Sequence, residues 1–114
     1  MADDRVYVDE ADGIKRVMNN TKLYVRLLTK FKNENNLNDL NSFLGAGDLE
    51  KAQAAAHTIK GIAANLSLTA LFQQSLEIET QIKNKAVDQG TVDSLNGIFA
   101  ETLAEVDKVL AKYA

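Results

Sequence analysis

The chain has no cysteine, no proline and no tryptophan among its 114 residues. Without cysteine there is no disulfide and no thiolate chemistry, and the composition suits a reducing compartment. Without proline, long helices meet no covalent interruption. Histidine occurs once. One histidine and no thiolate do not make a zinc-type site, which needs three or four ligands, and no Ser–His–Asp or Cys–His arrangement can be assembled. No apolar run approaches the roughly 20 residues that span a bilayer. The acidic opening "MADDRVYVDEADG" is no secretory signal. The net charge of −3 comes without a basic stripe, which argues against nucleic acid. These absences describe a cytoplasmic chain with no membrane segment. Its length is that of a single domain, 1–114, and its 46% hydrophobic content is enough for one modest core.

What is present is helical periodicity. Leu49, Ala52, Ala56, Ile59, Ala63 and Leu66 recur at steps of three and four, a helix seam rather than a strand. Asp48, after the turn "GAG", is positioned to cap its start. Leu68, Leu71, Ser75, Ile78 and Ile82 repeat the rhythm, with Ser67 or Thr69 as the cap. "KNKAVDQG" reads as a turn region. A last helix starts near Thr91 as cap and carries Val92, Leu95, Phe99, Thr102, Val106, Val109 and Tyr113. Near the N-terminus, Ile14, Val17 and Met18 indicate a short helix from about Asp9 to Asn19. Tyr24, Leu27, Leu28 and Phe31 then form one apolar face, and Leu37, Leu40 and Leu44 another, about 170° away. Either the helix breaks in the polar stretch "KNENN", or one long helix buries opposite sides at its two ends. The absence of Gly and Pro there favours the long helix. The fold class expected is all-α, an antiparallel four-helix bundle with a short additional N-terminal helix.

Within "AAAHTIKGIAANLS", residues 54–67, His57 lies about 130° around the helix from the apolar seam, so its ring faces solvent or a groove edge. Lys60 and Gly61 follow at i+3 and i+4 on the adjoining surface. Glu50, Gln53, Ala54 and Ala64 share that strip of mostly small residues. A helical glycine costs about 1 kcal/mol relative to alanine. Room for a bulky partner or a phosphoryl group would give Gly61 its reason. A surface histidine is often only a solvated residue, and alanines are ordinary helix formers. A neutral imidazole is nonetheless a fair nucleophile, and a neighbouring ammonium would neutralise a phosphoryl group placed on it. Phosphoryl transfer asks mainly for positioning and charge stabilisation.

"AHTIKGIAANLS" followed by "LTALFQQSLEIE" resembles the histidine-containing phosphotransfer (HPt) domain family, whose pattern is A-H-x-L-K-G-x-A-x-N-x-G. Ala56, His57, Lys60, Gly61, Ala63 and Asn65 stand at matching places. Ile59 replaces the usual leucine, and Ser67 stands where the family has glycine, which bears on the turn into the next helix. The segments "VYVDEADGIKRVMNNTKLYVRLLTKF" and "GAGDLEKAQAAAH" resemble the family's opening and its approach to the active helix. The likeness covers nearly the whole chain.

The resemblance implies that His57 accepts a phosphoryl group on Nε2 from a receiver-domain aspartyl phosphate and passes it to another receiver. It implies that Lys60 pairs with the phosphoryl oxygens and that Gly61 leaves space for the group and the partner. The family's later acidic or amide residue falls on Glu79, with Glu77 as runner-up. Glu79 is either the carboxylate that fixes the imidazole tautomer through Nδ1–H or an ordinary solvated one. Asn65 is expected to bond backbone near the helix end. Partners would be response-regulator receiver domains and a hybrid sensor histidine kinase, docking over Met18, Gln53, Ala54 and Ala64, although a methionine such as Met18 is more often plain core. No cofactor is expected on this chain, and Mg²⁺ would be held by the receiver's carboxylates. With no P-loop and no kinase glycine loop, the chain reads as a monomeric phosphoryl carrier without kinase activity. Two rivals remain: a non-catalytic helical adaptor for receiver or kinase domains, and the histidine domain of a chemotaxis-type kinase.

Overall fold

A computed structural model of the chain describes residues 5–34 and 36–113. Residues 1–4 of the acidic opening, Asn35 within "KNENN", and residue 114 lie outside the described residues. The described residues form six helices: α1 (Glu10–Arg16), α2 (Thr21–Asn33), α3 (Asn36–Gly45), α4 (Leu49–Leu66), α5 (Thr69–Lys83) and α6 (Gln89–Lys112). The molecule is a helical bundle. None of these helices is long and apolar enough to cross a membrane.

The helix boundaries follow from local chemistry. Asp9 caps α1 by accepting from the Asp12 N–H, and Asp48 caps α4 by accepting from the Lys51 N–H. Met18 and Asn19, both with φ near +60°, stop the chain from continuing α1 to Asn19, so the first helix is shorter than expected. Two expected caps are corrected. Asp88, not Thr91, caps α6, and its carboxylate accepts from the Thr91 N–H. Neither Ser67 nor Thr69 caps α5: Leu68 holds that position without a side-chain bond, and Ser67 closes α4 instead.

The larger correction concerns "KNENN". The long helix gives way to two, because Glu34 is extended, with φ −89° and ψ 151°. The break has a packing reason. A continuous helix would aim Phe31 and Leu40 to opposite sides, whereas the two separate helices bury both. Phe31 reaches α6, its ring centroid 5.3 Å from that of Phe99. α3 packs along α4.

α4 is the most surrounded element, packed against α1, α2, α3 and α5. Its core positions Ala52, Ala56 and Ala63 are fully buried. Small side chains let neighbouring helices approach closely, which immobilises the backbone that carries His57. α1 is seated by Gly13, where an added Cβ would fall 2.3 Å from the Tyr24 ring. The Tyr24 hydroxyl donates to the Leu66 carbonyl at 2.9 Å, and burial pushes that phenol well above its usual range.

Candidate functional site

His57 stands at the middle of α4 with its side chain 68% exposed, on the side away from the buried alanines. Its Nδ1 lies 3.3 Å from Oε2 of Glu79 on α5. Glu79 is the acidic residue that meets the ring. Glu77, two positions earlier and so about 200° around α5, is exposed to solvent. Glu79 is not the solvated carboxylate of the competing reading, since its side chain is only 4% exposed.

Three cationic or ionisable groups surround that buried carboxylate. Lys60 Nζ lies 2.6 Å from Oε1, and Lys83 Nζ lies 3.7 Å from Oε2, beside His57. Burial alone would raise the Glu79 carboxyl. The ion pair with Lys60, then the charges of Lys83 and His57, outweigh burial and hold it below the ordinary 4.5. Glu79 is therefore an anion at neutral pH, fixed between two helices. Lys60, 21% exposed, is engaged with Glu79 rather than lying free beside the ring.

Gly61 is exposed, and a Cβ built on it meets nothing within 4 Å. Among the described residues no neighbour demands glycine there. Gln53, Ala54 and Ala64 sit on the same strip of α4 by register, Ala54 exposed and the other two half-buried. At the C-terminal end of that strip, Ala64 shares a shallow depression with Asp12 and Arg16 of α1 and Phe72 of α5. Met18 is not core: it is 89% exposed in the turn after α1. Asn65 is exposed and does not make the expected backbone bond, and the end of α4 is closed by Ser67.

The structure thus joins His57, Lys60 and Glu79 by direct contact and puts Gly61 open beside them. A family model described as the Hpt domain matches residues 26–111. The chain belongs to the Hpt domain family. Hpt domains work in histidine phosphotransfer within phosphorelays, alongside receiver domains and kinases. No curated protein and no solved structure matches the chain. The family match starts inside α2, so α1 and the exposed Met18 in the turn after it lie outside the Hpt span.

One further residue reaches the site, Lys83. The sequence reading puts Lys83 in the turn "KNKAVDQG", whereas α5 runs through it and ends at the Asn84 cap. The available signal was its i+4 spacing from Glu79.

Proposed function

We propose that this Hpt domain is a phosphoryl carrier, with His57 as the residue that takes and returns the group. The observation that carries the reading is the contact between Nδ1 and a buried, ionised Glu79, which leaves Nε2 as the ring nitrogen facing outward. In the transfer step, the Nε2 lone pair attacks the phosphorus of an aspartyl phosphate on a receiver. An N–P bond forms and the acyl P–O bond breaks. The electron pair leaves with the aspartate carboxylate, and Nδ1 keeps its proton against Glu79. The imidazolium charge that develops on the ring is stabilised by that carboxylate. The reverse sequence delivers the group to a second receiver.

In this account Lys60 turns from Glu79 toward the phosphoryl oxygens, and Gly61 gives the group and the incoming receiver their clearance. Receivers dock over Gln53, Ala54, Ala64 and Met18, with a hybrid sensor histidine kinase as the upstream partner. Mg²⁺ comes with the receiver. The chain acts as a single cytoplasmic domain and a monomer. We extend the proposal to the architecture: α4, α5 and α6 alternate in direction, α2 and α3 together supply the fourth position of an antiparallel four-helix bundle, and α1 is the additional short helix.

The test is a transfer assay with label on receiver aspartate, and with purified kinases in a separate arm. The wild type should acquire an acid-labile, alkali-stable phosphohistidine from receivers, and His57→Gln should acquire none. Receiver binding without label transfer would replace this reading with the adaptor. Labelling by a kinase but by no receiver would favour the chemotaxis-kinase histidine domain.

A further inference from the structure

Before any phosphoryl group arrives, two ammonium groups already surround one carboxylate. They come from different helices. Lys60 shares α4 with His57, and Lys83 shares α5 with Glu79. Lys60 Nζ is 2.6 Å from Oε1, whereas Lys83 Nζ is 3.7 Å from Oε2, the oxygen that also faces His57 Nδ1. Lys83 is 56% exposed, so its long side chain can follow the carboxylate without disturbing the core.

The difficulty arises when the site is used. A buried carboxylate that loses its cation is costly, and Glu79 is only 4% exposed. If Lys60 turns to the phosphoryl oxygens, Glu79 loses its nearest counter-ion just as a second anion appears beside it. Resting on the carrier reading above, we propose that Lys83 is a positioning residue that keeps Glu79 charge-balanced while Lys60 holds the phosphoryl group. Each anion then has a cation from its own helix.

The charge count agrees. With a neutral ring, the two lysines exceed Glu79 by one positive charge. Transfer places a phosphoryl dianion on a ring that retains its Nδ1 proton and becomes cationic, a net addition of one negative charge. The phosphorylated cluster is then neutral. With Lys83 removed, it keeps an unmatched negative charge next to a buried carboxylate, and Lys60 must serve two anions.

The experiment uses the full chain and phosphoramidate, a small donor that needs no receiver and releases ammonia as the N–P bond to His57 forms. Phosphohistidine formation is followed by ³¹P NMR in the wild type, Lys83→Gln, Lys83→Arg, Glu79→Gln and the Glu79→Gln/Lys83→Gln pair, with circular dichroism to show that each is folded. Lys83→Gln should lower the rate by about fivefold, the upper range for a partly exposed ion pair. Lys83→Arg should restore it. In the Glu79→Gln background, Lys83→Gln should change nothing, because its partner carboxylate is gone. An unchanged rate in Lys83→Gln overturns the proposal. So does an equal loss in both backgrounds, which would place Lys83 on the phosphoryl group directly. A wild type that forms no phosphohistidine at His57 overturns the carrier reading beneath it, and that outcome is distinct from the other two.

Discussion

A Cβ built at Gly61 meets no atom within 4 Å, so the stability cost of a helical glycine is borne without any return in packing. Gly61→Ala should therefore leave the fold intact and raise its stability by up to about 1 kcal/mol in urea unfolding. The same variant should slow transfer from a receiver by about tenfold or more, since a displaced reacting group loses rate steeply. Unimpaired transfer in Gly61→Ala would show that the open space is unused. Much of the residue-level geometry could be read in advance. The turn of His57 away from the apolar seam, and the places of Lys60 and Gly61, followed from helical geometry alone. The burial of Glu79 against His57 and Lys60 did not, because it depends on how α5 lies against α4, and periodicity within one helix cannot report that. Lys83 was lost for a related reason: its segment held turn-forming residues, and one further helical residue was enough to bring it to Glu79.

Among the elements, the α4–α5 turn departs most informatively from the family pattern. Ser67 stands where glycine is usual and adopts the left-handed conformation that glycine would, with φ +57°. Its hydroxyl donates to Asp12 at 2.5 Å, and the Asp9 N–H donates to its carbonyl at 2.9 Å. Serine thus ties α1 to the end of α4 in a way glycine cannot. Ser67→Ala and Ser67→Gly both lose the hydroxyl bond, but only alanine keeps the left-handed strain. Alanine should be the less stable by about 1 kcal/mol, and both should increase amide hydrogen exchange in α1. Equal stabilities would mean that the φ costs nothing here. The seams of α4, α5 and α6 were legible because each is a single long period with one buried side. The division between α2 and α3 was not. No Gly or Pro marks it, and only the shared core shows why two opposed apolar faces must be separated. The caps of α5 and α6 were misplaced by one to three residues because serine and threonine near a helix start are equally able to serve the preceding element or a neighbouring helix: Ser67 closes α4, and Thr91 accepts from the Gln81 amide at 2.9 Å.

For the whole molecule, the charged clusters predict how stability depends on pH. The Glu79 carboxyl lies below its ordinary 4.5 in the folded chain. Its contribution is therefore complete above the unfolded value and is lost as pH falls through the lower folded one. Glu10, through Lys112 and Tyr113, and Asp12, through Ser67 and Arg16, are lowered as well and act in the same direction. Glu79→Gln should cost roughly 1–3 kcal/mol near neutral pH, as expected for a hydrogen bond to a buried charge. The gap from the wild type should close on acidification well below 4.5. Urea unfolding of both proteins across that range checks it, and a gap that does not vary with pH would contradict the ion-pair account. A last consequence comes from Glu10, which meets Lys112 and accepts from the Tyr113 hydroxyl at 2.5 Å. The first turn of α1 and the end of α6 are thereby held side by side although 102 residues separate Glu10 from Lys112, so this contact closes a loop nearly as long as the chain and carries the entropy of that closure.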